Sequence, residues 1–497
     1  MTPPLELVVF VVGSASLGAE IAAARLLAPY FGASTIVWAN TIATVLVALA
    51  VGYWIGGKMA DRRPDARGLS LVVVAASVLL AAVPFVGRPF LSESVKALDE
   101  ISAGAFLGSL VGVLVLVAVP VLLLGAVAPY AVRLKLGAVA EAGSVAGRLY
   151  AISTAGSLVG TFLSALLLIP LVGTRRTFLA FALALAVVGA LGLGRRWLLV
   201  PLGLAALIAL PVGTVKAAEP GERVLAEEET PYQYARVVED PDGARRLELN
   251  EGVATHSLWR PRTVLTGDYW DDFLVLPFAG ARRAPPRRIA ILGNAAGTTA
   301  RAYGRLFPTT RVDAVEIDGA LTRLGRRWFG LGGPGLHVYT ADARPWLERQ
   351  PDRRYDAIFV DAYRQPYIPF YLTTREFFAS VRDKLRPGGM VIVNIGHPSG
   401  SRDLERVLGA TMRAEFPVVA RDEVEDTNTL GVASSAPLSA VRLRAARVPG
   451  SLRALAGRAA GRLRPALSGG SVYTDDRAPV EWLVDASIVQ VAANGER

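Results

Sequence analysis

Residues 291–299 read ILGNAAGTT. An apolar strand runs there into a turn with glycines at Gly293 and Gly297, and a helix can start directly after it. Three carboxylates follow at the ends of later apolar runs. Glu316 closes the run in TRVDAVEID (310–318), Asp342 the one in LHVYTADA (336–343) and Asp361 the one in YDAIFVDAY (355–363). A glycine turn lets backbone approach a ligand closely, and an acid at the next strand end can accept hydrogen bonds from ribose hydroxyls. An acid at the third strand end can read an adenine amino group. One at the fourth can orient a nucleophile and accept its proton.

The turn has no Gly-Lys-Ser/Thr, so it is not built for a triphosphate and its magnesium. It suits an uncharged adenosine with a sulfonium tail, which describes S-adenosylmethionine or its decarboxylated form. Gly293, Asn294, Gly297, Glu316, Asp342 and Ala343 are the candidate contacts to that nucleoside. The plainer reading of each acid is a solvated loop residue, since acids are common at turns.

These residues need strands to carry them. RRIAILG (287–293), TRVDAVEID, LHVYTADA, YDAIFVDAY and MVIVNIG (390–396) read as strands with helical segments between them. Such alternation implies a parallel sheet with helices on both faces, in which ligands bind at the carboxyl ends of the strands. Upstream, TPYQYARVVED (230–240) and ARRLELNEGVATHS (244–257) read as two strands joined by the turn Pro241-Asp242-Gly243, after a polar, acidic linker over 217–230.

The first 215 residues are of another kind. The chain has 497 residues, too many for one core, and 52% of them are hydrophobic, with a mean hydropathy of +0.39. Seven apolar stretches, near 5–30, 36–57, 69–90, 105–131, 149–172, 177–194 and 197–214, are read as membrane spans. No basic n-region precedes the first, which argues against a cleaved signal peptide. Residues 1–216 hold 15 Lys/Arg against 8 Asp/Glu, and so carry +7 of the formal +10. The positive excess therefore belongs to membrane loops, which argues against nucleic acid as a partner. Cys is absent and His occurs three times, so a thiolate or His-rich metal site is not expected.

Glu20 and Arg25 fall inside the first span, where charges are costly and often functional; the plainer reading is a structural pair, or a snorkelling Arg25. GYWIGGKMADRR (52–63) resembles the loop between the second and third helices of major-facilitator transporters, and its glycines allow close helix packing. Gly156 and Gly160 form a small-xxx-small pair of the packing kind.

Residues 230–396 resemble spermidine synthases, the polyamine aminopropyltransferases, which have the class I methyltransferase fold. PYQ (231–233), GDYWDD (267–272), VEID (315–318) and YDAIFVDAY carry the resemblance. ARLLAPYFGAS (24–34), GRLYAISTAGSLVG (147–160), IPFYLTTREFF (368–378) and YTDDRAPVE (473–481) extend it to the membrane-fused branch of that family. The resemblance implies a catalytic role for Asp361, a ribose contact for Glu316 and a nucleoside contact for Gln233. It places Tyr269, Asp271, Tyr363, Arg364 and Asp475 around the substrate. Two positions depart from the family. Ala296 stands where the family has an Asp for the amino end of the donor, and Arg364 where it has an Asp for the far amine of the acceptor. A cation at 364 would repel a diamine.

The expected architecture has several domains: a transmembrane helical bundle of about seven spans over 1–216, a linker and β-rich module over 217–286, and an α/β Rossmann-like, spermidine synthase-like domain over 287–497. The expected function is a membrane-anchored transferase that alkylates an amine from an adenosyl sulfonium donor, most readily by aminopropyl transfer in polyamine biosynthesis, with no metal. The alternatives are a methyltransferase using S-adenosylmethionine itself, and a transporter or sensor with a nucleoside-binding domain. Expected partners are a small-molecule amine or lipid substrate and the bilayer, with a homodimer compatible. Residues 441–464 hold seven Arg and no acid, and read either as a solvated helix or as one lying on an anionic membrane surface.

Loop charges and donor supply disagree on sidedness. Lys58, Arg62, Arg63, Arg67, Arg133, Lys135, Arg148, Arg195 and Arg196 all fall on the side of the N-terminus, presumed cytoplasmic by the positive-inside bias, and seven spans then put the catalytic domain outside. Adenosyl sulfonium donors are made in the cytosol. The short hairpin 177–214 resolves the conflict if it does not fully cross, and the expectation is a multi-pass inner-membrane protein with a cytoplasmic catalytic domain.

Overall fold

Long runs of Leu, Val and Ala, with few charges to solvate, form the helices of the first half of the chain. In a computed structural model the residues described are 3–493, apart from 33, 100–103, 211–214, 217, 252–253, 282–283 and 364–366. The chain divides into two units: Met1–Ala217 with Glu227–Tyr234 and Asn250–Gly252, and Ala218–Ala226 with Ala235–Leu249 and Val253–Arg497. The expected β-rich module and catalytic domain are therefore grouped together, with two short pieces of the module assigned to the helical unit.

Among the described residues of the first unit, five helical runs are long and apolar enough to cross a membrane: Leu5–Phe31, Thr35–Arg62, Ala66–Ser94, Leu107–Lys135 and Val139–Leu193. Seven stretches were expected, and the difference has two causes. The last run is 55 residues long and joins the fifth and sixth stretches. Gly173 breaks it at φ 83°, so it is two helical arms, with Thr174 N–H capped by the Glu229 carboxylate at 2.9 Å. Among its described residues, the seventh stretch forms a 3-10 turn, Arg195–Leu198, and the 11-residue helix Leu199–Ala209. At 1.5 Å per residue that helix is roughly 16 Å long, against about 30 Å of hydrocarbon.

Small residues set the helix contacts. A Cβ on Gly156 would lie 2.1 Å from the Phe10 carbonyl oxygen and one on Gly160 2.0 Å from that of Ser14. A Cβ on Gly52 or Gly56 would lie 2.2 Å from the carbonyl oxygen of Leu122 or Ala126, so the glycines of 52–63 serve close packing. The Arg25 guanidinium donates to the Pro231 carbonyl. Leu46, Val47, Trp54, Leu166, Leu171 and Leu202 face outward and are exposed.

The second unit is built on two sheets. The first is antiparallel, in the order β1 (Arg223–Glu229), β2 (Tyr234–Glu239), β3 (Arg245–Leu249), β4 (Thr255–Trp259), and parts of its first two strands group with the helical unit. Part of the segment read as linker is thus a strand. The stretch read as one strand over 244–257 is two, because Asn250 turns the chain at φ 49°.

The second sheet has eight strands: β5 (Arg288–Leu292), β6 (Arg311–Glu316), β7 (Leu336–Thr340), β8 (Tyr355–Val360), β9 (Leu385–Gly396), β10 (Val418–Glu425), β11 (Asn428–Ser434) and β12 (Arg464–Pro465), in the order β12-β10-β11-β9-β8-β5-β6-β7. The first five are the expected parallel strands. The antiparallel strands β10, β11 and β12 extend the sheet beyond β9 and were not expected. Ile289 and Ile291 pack into the core on one face of the sheet, and Ala290 and Leu292 into the core on the other. Burial on both faces is why these strands read as continuous apolar runs.

Candidate active site

The sheet order reverses beside β5. The chain leaves β5 for β6 on one side, and β8 returns to pair with β5 on the other. Open α/β sheets hold ligands outside such a switch point. Gly293 sits there at φ 89°, and a Cβ on it would lie 2.4 Å from the Asp361 carbonyl oxygen and 2.5 Å from Ala362 Cα. Its N–H and that of Asn294 both donate to the Val315 carbonyl, at 3.0 and 3.1 Å, while Asp361 N–H donates to the Leu292 carbonyl at 2.8 Å. The glycine therefore lets three strand ends close on one another. Gly297, at φ 93°, begins the helix Thr298–Leu306, and the space its Cβ would take is filled by Leu331 at 2.3 Å.

Glu316 ends β6 and is buried. One carboxylate oxygen accepts the Ala295 N–H at 2.7 Å and the other the Asp318 N–H at 3.0 Å. The Ile317 N–H is a third backbone donor, so the loop positions the group, and three donors leave it able to accept from a ligand as well. Burial pushes its pKa up to about 7, against the pull of those backbone donors. Asn294 is 6% exposed, and its side-chain oxygen and nitrogen have no partner among the described residues. A buried amide without partners costs free energy unless something else satisfies it. Asp342 caps the helix Ala343–Glu348 by accepting the Arg344 N–H at 3.2 Å, and the partly buried Ala343 packs on the core beside it. Gln233 falls among the residues grouped with the helical unit, where it is buried and its carbonyl accepts the Thr230 N–H at 2.9 Å.

Asp361, just past β8, has the most elaborate surroundings. Asn394 Nδ2 donates to its Oδ1 at 2.9 Å, the Tyr269 hydroxyl lies 3.2 and 3.3 Å from its two oxygens, and Trp270 Nε1 donates to its Oδ2 at 3.2 Å. Asn394 is held in turn by Asn428, whose Nδ2 donates to its Oδ1 at 2.9 Å. Burial raises the Asp361 pKa to about 7, with the Asn394, Tyr269 and Trp270 hydrogen bonds acting against it. The result is a fixed carboxyl that changes charge near neutrality. Tyr269 N–H donates to Glu425 at 3.2 Å, and burial with the nearby Asp268 raises the Glu425 pKa.

The residues expected around the substrate divide. Tyr269 meets Asp361. Tyr363 braces neighbouring strand ends, donating to the Asn394 carbonyl at 2.9 Å and accepting from Gly396 N–H at 2.6 Å. Asp271 is turned to its own loop: it accepts from the Thr266 N–H at 2.9 Å and the Gly267 N–H at 2.8 Å, so the structure gives it a backbone partner in place of a substrate. Asp475 is likewise committed elsewhere, in a two-pronged pair with Arg344 at 2.7 Å per contact and a hydrogen bond from Thr374 at 2.7 Å. Arg364 lies outside the described residues. Ala296 is fully buried in an apolar cluster with Leu321, Leu324 and Phe329, so its side chain faces the core. Among the described residues no group of His, Cys, Asp or Glu is placed to hold a metal.

Trp270, Asn394 and Asn428 were not read from the sequence as site residues. Trp270 stands inside GDYWDD and Asn394 inside an otherwise apolar strand, MVIVNIG, where a lone amide was the available signal.

A probable polyamine aminopropyl transferase of Bifidobacterium longum is 34% identical over 191 residues, covering 38% of this chain and 42% of that protein. A polyamine aminopropyltransferase of Vibrio vulnificus is 34% identical over 134 residues, 26% of this chain and 44% of that one. This chain is similar to polyamine aminopropyltransferases. It spans less than half the length of these two aminopropyltransferases. A probable spermidine synthase from Corynebacterium glutamicum superposes with a TM-score of 0.38 at 23% identity, covering 50% of this chain and 96% of that one. No family model matches the chain.

Proposed function

We propose that the second unit is a transferase that moves an aminopropyl group from decarboxylated S-adenosylmethionine to an amine. The observation that carries this reading is Asp361: a half-buried carboxyl at the switch point, fixed by Tyr269, Trp270 and Asn394, with a pKa raised to about 7. The nucleoside would lie along Gly293 and Asn294, with its ribose hydroxyls on the Glu316 carboxylate. Asp361 would hold the acceptor amine in line with the carbon next to the sulfonium. The amine nitrogen bonds to that carbon, the carbon–sulfur bond breaks and its electron pair leaves on the thioether. The proton freed from nitrogen passes to Asp361. The relatives named polyamine aminopropyltransferase support this class of reaction.

The test is Asp361→Asn in the full chain. Turnover should fall about 10²–10⁴-fold, the usual contribution of a general base, while nucleoside binding persists. An Asn variant with full turnover removes the assignment.

Ala296 favours keeping a second reading, a methyltransferase using S-adenosylmethionine. An acid at 296 would repel a donor carboxylate, and here the position is apolar and turned to the core. Calorimetry with each of the two donors separates the readings, and mass spectrometry of the products identifies the group transferred.

The helical unit is read as the anchor that places this chemistry at a bilayer. Its long apolar helices and outward-facing Leu, Val and Trp side chains support that role.

A further inference from the structure

A cleft of about 370 Å³ in the second unit is lined by Trp259, Arg260, Arg262, Arg301, Arg305 and Ser451, with apolar residues between them. Four arginines line it and no acid does. Elsewhere in this unit arginines are matched to carboxylates: Arg288 to Asp313 at 2.8 Å, Arg344 to Asp475 at 2.7 Å and Arg462 to Asp422 at 2.6 Å. In the cleft, Arg260 lies 4.0 Å from Asp242 and is also attracted to Asp268, and its Nε has no partner among the described residues. The Arg301 guanidinium donates to the Leu258 carbonyl at 3.2 Å, and its Nε too has no partner among the described residues. Burial with no acid beside it pushes the Arg301 pKa down to about 10, so the folded protein carries this charge at a cost.

We infer that this cleft binds a phosphate-bearing anion, held by the guanidinium groups of Arg260, Arg262, Arg301 and Arg305. Guanidinium forks match phosphate oxygens in pairs, and a dianion relieves the repulsion among four like charges. The apolar lining, Val264, Leu265 and Leu306, suits the part of an ester next to its phosphate. The shared chemistry is a phosphate monoester, from an anionic lipid headgroup or from a soluble compound. This site is independent of the transferase reading, since no residue in it touches Asp361 or Glu316.

The test is calorimetry on the full chain in a nonionic detergent at low salt. The probes are inorganic phosphate, dihexanoyl phosphatidic acid and dihexanoyl phosphatidylcholine. Saturable one-to-one binding of phosphate or phosphatidic acid is expected, with phosphatidylcholine inert. Phosphatidic acid binding more than about tenfold tighter than phosphate assigns the site to a lipid, and similar affinities assign it to a soluble anion. Arg262 and Arg305 are exposed, so R262Q/R305Q should fold, and it should bind at least about tenfold more weakly. Arg301→Lys keeps a charge but loses the fork, and should weaken binding as well. Absence of saturable binding to either phosphate probe, or wild-type affinity in both variants, overturns the inference.

Discussion

Asn394 donates to Asp361 Oδ1 at 2.9 Å across the neighbouring ends of two parallel strands, and Asn428 fixes the donor by holding its other side-chain atom at 2.9 Å. The two asparagines therefore fix which atom faces the carboxylate. The Asn394 hydrogen bond stabilises the charged form and holds the Asp361 pKa below where burial alone would put it.

Asn394→Ala should accordingly raise the Asp361 pKa further. A base must be ionised to accept a proton, so the pH at half-maximal activity should move up from about 7. Asn428→Ala should move it the same way by less. A pH–rate profile checks this, and an unmoved limb in Asn394→Ala would separate Asp361 from the proton transfer. The sign for stability is opposite. The folded pKa of about 7 lies above the roughly 3.9 of an unfolded Asp, so this group's contribution is fullest below pH ~4 and is lost as pH rises through 7. Asp361→Asn should therefore flatten the decline in melting temperature between those limits.

Nucleoside binding should depend on Glu316 in its charged form, because ribose hydroxyls donate to it. With its pKa near 7 in the empty site, affinity should strengthen as pH rises through neutrality. Glu316→Gln should bind donor about tenfold or more weakly and lose that dependence, since the amide has lost one acceptor. Titration calorimetry at pH 6 and 8 reads both effects.

Gly293→Ala should be strongly destabilising. The added Cβ meets backbone atoms of Asp361 and Ala362 at 2.4–2.6 Å, and φ is 89°. A cost of about 2–5 kcal/mol is expected from a clash with backbone that cannot rotate away. Denaturant unfolding of the detergent-solubilised protein measures it; a change below about 1 kcal/mol would mean that these strand ends can spread.

Asp475→Asn tests whether that acid holds substrate. The structure pairs it with Arg344 at a partly exposed site, so the loss should be no more than about 1 kcal/mol of stability, with the KM for amine unchanged. The Arg344 guanidinium holds the Asp475 carboxyl below its usual pKa, so the pair's contribution is present above pH ~4 and fades as pH falls through the lowered value. A tenfold rise in KM would return Asp475 to the substrate site.

The helices bear on sidedness. Counting the broken run as two arms gives six long helices among the described residues, and the 11-residue helix after Gly194 is short against the thickness of a bilayer. If each of these crosses a bilayer, an even count would put the basic residues at 58–67, 133–148 and 195–196 on the side of the N-terminus, and we propose the same side for the second unit. Arg175 and Arg176 at the break run against that bias. A fluorescent-protein fusion at the C-terminus should therefore be bright and an alkaline phosphatase fusion silent; the reverse result would require an extracytoplasmic donor.

Local pattern made several features readable from the chain alone. The five parallel strands appear as apolar runs because both faces of the sheet are buried, and their polar residues stand out where each strand ends. Gly293, Glu316 and Asp361 were legible for that reason, and the long helices were legible from hydropathy. Other features depended on contacts between distant residues. Asp271 and Asp475 are acids like Asp361, yet one turns back to Thr266 and Gly267 and the other to Arg344. Nothing in their spacing tells which of these acids meets its own loop, an arginine or the side chains at the switch point. Asn394 and Asn428 lie 34 residues apart and meet because β11 pairs antiparallel with β9. A side chain's role here depends on which strand ends the fold brings together, and that register is set by the packing of the whole sheet.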